Sequence, residues 1–441
     1  MPTRPWVLVV AGALLTVLAY PPFHLFLPSF IALVPLYWLL DRAALAKRPA
    51  RGAWYGLVAG LAANGALHAW MVVALQSYAA YPIATYLLAV LLLSLWWAVL
   101  GWWVVRVWIA LPKAPRWLVF AAGWTVMEWI FGHHGALAFP WLGLGTSLTG
   151  FPLVIQWADL AGARGVTFWL VVSNALLARG LESPAREWRR LAAVLVTIPL
   201  ALGYGALRVR GLDLRPVGQF LLVQSDVKPH DKQDPARWAA SVDALLDQTE
   251  LALAESPTRP DLVLWPEAAV PADADGTGAH MAAVAALARE ARVALLVGML
   301  EPDAPGSTRR YNSAVLLDAG GRMVQGMVYR KRYLVPVAER GTIVPGDGGP
   351  LFPVGSGHGR GGVVICFEVG FERLARAYRR AGAHVLLNVS NDAWARRTWA
   401  RSQHPAHLVM RAIETRMGIA RVANTGVSLV MDPLGRVTAQ A

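Results

Sequence analysis

Three residues in the second half of this chain have the types and settings needed for acyl chemistry. Glu267 closes the run Asp-Leu-Val-Leu-Trp-Pro-Glu, Lys331 closes Met-Val-Tyr-Arg-Lys, and Cys366 closes Gly-Gly-Val-Val-Ile-Cys. Each apolar run reads as a buried strand, so each sets a reactive group where a strand ends. Cys366 is the only cysteine, which excludes an intramolecular disulfide and any multi-cysteine metal site and leaves either a buried bystander or a reactive thiol. A thiol near its ordinary pKa of about 8.5 is mostly protonated at neutral pH and needs a base or a cation beside it. Glu267 can take that proton. Lys331, together with the backbone N–H of Phe367, can hold the negative charge of a tetrahedral intermediate. Taken singly, each residue also has a plain structural reading, as a small buried hydrophobe, a loop carboxylate and a solvated lysine.

The elements that must position these groups follow from Gln219 onward. Strands fit residues 220–224, 261–265, 294–299, 314–318, 323–329, 362–365, 384–389, 419–424 and 428–431, and helices fit 236–254, 279–291, 371–381 and 405–416. Strand pairs flanked by helices make an α/β layered domain. The turn after Cys366 runs into one of those helices, which offers backbone N–H groups to an oxyanion.

Ahead of this domain the composition changes. The 441 residues are 56% hydrophobic with a mean hydropathy of +0.42, too apolar for an ordinary soluble enzyme. The excess lies before residue 210, where seven apolar segments fit 6–20, 24–40, 53–75, 83–111, 117–131, 166–181 and 191–207. No small-residue cleavage site follows the first, and Pro21-Pro22-Phe23 leads into the second, so residues 1–40 read as an uncleaved helical hairpin. The net charge of +13 sits largely in short joints, which orientation in a bilayer explains more simply than nucleic-acid binding. Arg42, Lys47, Arg48 and Arg51, then Lys113 and Arg116, then Arg179, Arg186, Arg189 and Arg190 fall in alternate joints; with Arg4 they mark the cytoplasmic side. The opposite joints, 76–82 and 132–150, lack Lys and Arg, and Arg164 is the only basic residue near that face. Seven crossings then place everything after residue 210 outside the cytoplasm. Asn64, His68, Glu128 and Asn174 lie at membrane depth, where ionisable or polar groups suggest a role, with helix-to-helix hydrogen bonding as the alternative.

Four segments carry a resemblance: Trp265-Pro266-Glu267, Lys331-Arg332-Tyr333-Leu334-Val335-Pro336, Cys366-Phe367-Glu368, and Asn388-Val389-Ser390-Asn391-Asp392-Ala393-Trp394. They resemble the nitrilase superfamily and, with a multi-span bundle ahead of them, the bacterial apolipoprotein N-acyltransferase family. Phe139-Pro140-Trp141 after Glu128, Tyr311-Asn312-Ser313, Gln403-His404, Arg411-Ala412-Ile413-Glu414 and Asn424-Thr425-Gly426 match in order. The resemblance implies a multi-pass α-helical membrane bundle over residues 1–210, followed over 215–441 by an extracytoplasmic α/β nitrilase-like α-β-β-α sandwich that lacks the family's last strands and final membrane helix.

It further implies that Cys366 takes an acyl chain from a phospholipid as a thioester and passes it to the N-terminal amine of a diacylglyceryl-cysteine lipoprotein. Glu267, Lys331 and Cys366 would be the catalytic triad, and Glu339 and Glu368 would support it. Cofactor, metal and nucleic acid are not expected, and the location implied is the bacterial inner membrane. This chain has Val337-Ala338, Phe367 and Ala395-Arg396-Arg397 where the family pattern differs. The loop 392–403, with Trp394 and Trp399 among Arg396, Arg397 and Arg401, pairs interface-seeking rings with cations and is expected to govern substrate access. Two other readings stay open: a membrane-anchored amidase with water as acceptor, and a receptor or transporter with a vestigial site.

Overall fold

Backbone polar groups in an apolar run need partners within the run, and a helix supplies them. In the computed structural model the first half forms helices Pro5–Ala19, Phe26–Ile31, Val34–Leu45, Pro49–Leu67, Met71–Ala74, Pro82–Ala110, Arg116–His133, Ala158–Glu182 and Pro184–Gly211. The structure describes residues 4–182, 184–228, 231–232, 234–271, 278–304, 306–355 and 357–441. Residues 1–3 of the expected hairpin and the side chain of Arg186 lie outside the described residues.

All seven expected apolar segments are helical. Among the described residues four helices are long and apolar enough to cross a membrane: Phe26–Leu45, Pro82–Ala110, Ala158–Glu182 and Glu187–Gly211. A pair bent by 58°, Pro49–Leu67 with Met71–Ser77, raises this to five. Pro5–Ala19 is apolar but has 15 residues, about 22 Å of helix against a hydrocarbon core of about 30 Å. Arg116–His133 carries Arg116, Glu128 and His133 within its 18 residues.

The chain forms two compact units. The first is Met1–Leu212 with Thr398–Glu414, and the second is Asp213–Arg397 with Thr415–Ala441. In the helical unit, Pro49–Leu67 packs along Pro82–Ala110 through glycines four residues apart. A Cβ on Gly52 would stand 2.5 Å from the Gly101 carbonyl oxygen, and one on Gly56 would stand 2.1 Å from that of Trp97. Only glycine permits this approach, the small-residue packing expected where no hydrophobic effect draws helices together. Asp41 pairs with Arg116 and lies 3.9 Å from Arg179, so the three basic joints that contain these residues or adjoin Asp41 meet at one end of the unit.

Three of the four polar residues at depth, Asn64, Glu128 and Asn174, bind neighbouring elements. Asn174 accepts from the Leu33 N–H at 2.8 Å and donates to the Ser29 carbonyl at 3.0 Å. Asn64 donates to Ser94 Oγ at 3.4 Å, and His68 Nδ1 lies 3.0 Å from the Asn64 carbonyl. Glu128 accepts from Trp124 Nε1, the Leu144 N–H, Thr167 Oγ1 and Arg164 at 2.7–3.1 Å. The bonding alternative therefore accounts for Asn64, Glu128 and Asn174, but the bond of His68 stays within its own helix.

Helix Ala400–Thr415, expected to begin at Pro405, starts five residues earlier. Pro405 therefore lies inside this helix, past its first turn, where a proline withholds one backbone N–H from the helical ladder. Most of this helix belongs to the helical unit. Gln403 accepts from Trp141 Nε1 at 2.9 Å and donates to the Leu67 carbonyl at 3.2 Å, and Met410 and Ile413 join the apolar core.

The second unit is built on strands β1 (Phe220–Leu222), β2 (Leu262–Leu264), β3 (Ala294–Pro302), β4 (Arg310–Leu317), β5 (Met323–Arg330), β6 (Phe352–Val354), β7 (Gly359–Ile365), β8 (Val385–Ser390), β9 (Gly418–Ala423), β10 (Leu429–Met431) and β11 (Val437–Gln440). They form one sheet in the order β1-β2-β3-β4-β5 and another in the order β11-β10-β9-β8-β7-β6. Contacts of β1 with β9 and of β4 with β7 bring the sheets face to face. Helices Trp238–Glu255 and Ala279–Ala291 cover the first sheet with Val242, Leu245, Val284 and Leu287. Helix Glu372–Arg380 covers the second, where the Tyr378 hydroxyl donates to the Val363 carbonyl at 2.8 Å. This is a nitrilase-type α/β fold with mixed sheets. Sequence reading omitted β6 and β11, both edge strands. The first is three residues with Pro353 at its centre, a residue that suits an edge but breaks a strand pattern.

Candidate active site

The three strand ends converge in the second unit. Beyond β2, Trp265 Nε1 donates to Thr249 Oγ1 at 3.0 Å, which fixes the strand end to a helix. Glu267 follows, 6% exposed. The turn fits only because Gly298 on β3 lacks a side chain: a Cβ there would stand 2.1 Å from the Pro266 carbonyl oxygen. Glu267 Oε1 accepts from Asn312 Nδ2 at 2.7 Å and from Lys331 Nζ at 3.2 Å.

Lys331 extends β5 and is held by its own backbone, its N–H donating to the Asn312 carbonyl at 2.8 Å and its carbonyl accepting from Gly346 at 2.7 Å. Its side chain is fully enclosed between two carboxylates, with Nζ 2.7 Å from Glu339 Oε1 and 3.2 Å from Glu267. Burial alone would lower the Lys331 pKa, but Glu267 and Glu339 raise it well above the ordinary lysine value. Lys331 is thus a fixed cation. Glu339 is oriented in turn by the Val335 N–H, 2.7 Å from its other oxygen.

Cys366 follows directly on β7, in the left-handed region at φ +50°. A non-glycine residue pays strain there, and such residues cluster where a side chain must be aimed. Phe367 follows in the short turn Cys366–Gly370, where its backbone N–H stands next to the thiol in sequence. Burial pushes the Cys366 pKa up, and Glu267 pushes it further against the opposing pull of Lys331. The thiol therefore rests protonated. A base must take its proton as it attacks, and Glu267, electrostatically coupled to it, is the candidate.

Glu368 joins the Lys331 and Cys366 segments. Its oxygens accept from the backbone N–H of Ile365 at 2.8 Å, Arg332 at 2.7 Å and Tyr333 at 3.1 Å, and from the Tyr329 hydroxyl at 2.8 Å. Burial raises its pKa despite these donors. Burial and Glu368 together hold Tyr329 well above the ordinary phenol value, so it stays a donor.

Two features escaped sequence reading. Lys232 Nζ donates to the carbonyls of Glu267 at 3.0 Å and Ala268 at 3.2 Å, the latter residue at φ +49°. Burial lowers the Lys232 pKa to about 8, against the opposing effect of Glu267. Behind Cys366, fully buried Arg421 pairs with Asp392 at 2.6 Å and donates to Asn388, tying the end of β8 to β9. A lysine in a polar loop and an arginine inside a strand give no pattern that points to such partners. Of the two expected access residues, Trp394 lies half-buried in the turn Ala393–Ala395 of the second unit. Trp399 belongs to the helical unit, edge-on to Phe23 with centroids 5.5 Å apart.

Together the fold, the enclosed cation between two carboxylates and the strained cysteine turn define an enzyme of the carbon-nitrogen hydrolase class carried on a helical membrane unit. The family model for carbon-nitrogen hydrolases matches residues 224–441, and that for the apolipoprotein N-acyltransferase N-terminal domain matches 12–176. Solved structures similar to the chain include an amidase from Nesterenkonia sp. (22% identity, 52% of this chain and 88% of that one, TM-score 0.41). Another is Saccharomyces cerevisiae Nit3, a member of the nitrilase superfamily (22%, 52% and 89%, TM-score 0.41). Apolipoprotein N-acyltransferases of Geobacter metallireducens and Bradyrhizobium diazoefficiens are 29% and 30% identical over 99% of this chain and 87% and 86% of their own. That of Caulobacter vibrioides is 31% identical over 98% of this chain and 86% of its own. The chain belongs to the apolipoprotein N-acyltransferase family, and it is a membrane-associated acyltransferase.

Proposed function

We propose that this protein transfers a fatty acyl chain from a membrane phospholipid, through a thioester on Cys366, to the N-terminal amine of a diacylglyceryl-cysteine apolipoprotein. In the first half-reaction Glu267 takes the Sγ proton as the sulfur attacks an ester carbonyl of the lipid. The S–C bond forms, the ester C–O bond breaks, and the proton passes to the departing alkoxide, which leaves as lysophospholipid. Lys331 and the Phe367 N–H hold the charge on the carbonyl oxygen. In the second half-reaction the lipoprotein amine attacks the thioester, the C–N bond forms and the C–S bond breaks. Glu267 accepts the amine proton and returns one to sulfur. Glu339 orients Lys331, and Glu368 fixes the Lys331 and Cys366 segments.

The observation that carries this reading is Lys331, enclosed within 3.2 Å of both Glu267 and Glu339, coupled to a protonated thiol on a strained turn. Trp394 and Trp399 are assigned to lipid entry. The alternation of basic joints in the sequence supports a catalytic domain on the extracytoplasmic side of a bacterial inner membrane.

Intact mass after incubation with phospholipid tests the scheme: one acyl group should appear on Cys366 and be released by hydroxylamine. Cys366→Ser should remain unacylated because a hydroxyl is far harder to deprotonate. Turnover by the serine variant would overturn the thioester mechanism.

A further inference from the structure

Beside the cysteine turn the catalytic unit carries an aromatic ledge with an uncompensated cation on it. Tyr333, two residues beyond Lys331, stacks on Phe371 with centroids 4.3 Å apart and planes at 13°. Phe371 in turn meets Phe367, the residue after Cys366, edge-on at 5.3 Å. The guanidinium of Arg373 lies 4.5 Å from the Tyr333 ring centre and 5.6 Å from that of Phe371. Arg332 approaches the same Tyr333 ring at 5.9 Å. Among the described residues neither arginine forms an ion pair, and the inward Nε of Arg373 has no acceptor. Ring stacking rather than a carboxylate holds Arg373, so its outer N–H groups keep their charge and their geometry for an anion. The Tyr333 backbone N–H binds Glu368, which also binds the cysteine turn, so this ledge and the nucleophile share one support.

We propose that Arg373, assisted by Arg332, is a phosphate subsite that holds the phosphodiester of the acyl donor while Cys366 attacks its ester. This rests on the phospholipid reading given above. In a glycerophospholipid the phosphodiester and the acyl esters sit on one three-carbon glycerol. An anion receptor attached to the cysteine turn through Phe367 and Phe371 is therefore suited to fix the ester by its neighbour. A planar guanidinium binds phosphate through paired N–H groups, which a surface charge does not.

The test uses the full chain in detergent micelles, with acyl-enzyme formation followed by intact mass from phosphatidylglycerol and from an uncharged nitrophenyl ester of the same fatty acid. Arg373→Ala should raise KM for phosphatidylglycerol by about tenfold or more, the size of a lost charge-assisted hydrogen bond. Its loss on the phospholipid should exceed its loss on the uncharged ester by a similar factor. Arg373→Lys should recover only part, because it keeps the charge without the stacked plane. Arg332→Ala should show the same preference more weakly.

Equal slowing on both donors would make the ledge a support for the turn, and unchanged KM would remove the subsite; either result overturns the proposal. Inorganic phosphate should compete with phosphatidylglycerol in the unaltered protein and lose that effect in Arg373→Ala. Competition by phosphate without any KM change in the variant would assign a free-anion site instead, against the proposal. If the unaltered protein is acylated by the uncharged ester but by no phospholipid, the proposed donor itself falls and the subsite with it.

Discussion

At the residue scale, the charge of Glu267 has two opposite effects on Cys366. As the proposed base it would enable attack, yet as a neighbouring anion it raises the thiol pKa. Glu267→Gln separates them. Acyl-enzyme formation should fall by about a hundredfold or more with the base removed, while alkylation by iodoacetamide at pH 8 should accelerate. The sign follows from the shift. A raised pKa leaves less thiolate below it, and removing the anion lowers the pKa and restores thiolate, so the variant's alkylation rate should reach its plateau at lower pH. Slower alkylation in the variant would mean that Glu267 does not press on the thiol. The convergence of Glu267, Lys331 and Cys366 was legible because each stands at the end of an apolar run, and a strand end is visible in sequence. Glu339 and Glu368 were reached only through family resemblance. Lys232 was not legible at all, since its partners are backbone carbonyls 35 residues away and carbonyls leave no mark in a sequence.

At the scale of elements, most helices and strands followed from apolar periodicity, and the closest packing did not. Gly52 and Gly56 look like helix-weakening residues until the facing backbone of Gly101 and Trp97 is seen. Gly56→Leu should therefore lower stability in detergent by about 1–3 kcal/mol through overpacking. Gly203, on helix Pro184–Gly211 with nothing within 4 Å of its Cβ position, is the control. Gly203→Ala should be neutral or slightly stabilising through helix propensity. Thermal unfolding of the two purified variants decides the matter, and equal midpoints would show that the glycine stripe does not set the helix contact. Helix Ala400–Thr415 was visible as a helix, but its burial was not. Gln403, His404, His407, Arg411 and Glu414 are all buried, whereas so polar a sequence reads as a solvated surface.

At the scale of the molecule, that polar helix makes the helical unit discontinuous in sequence. Gln403→Leu should lower the stability of the full chain by about 1–3 kcal/mol, because Trp141 Nε1 and the Leu67 carbonyl each lose this partner. An unchanged unfolding midpoint would mean that segment 398–414 is only loosely attached to the unit. The discontinuity also bears on the order of manufacture. A ribosome delivers residues 1–212 first, and the seat that Gln403, Met410 and Ile413 will fill waits while strands β1 to β8 emerge. Only then does the missing helix arrive. The segment that completes the core of the first unit is thus made only after residues 213–397 of the second, so the core of the helical unit cannot close before most of the sheet strands exist.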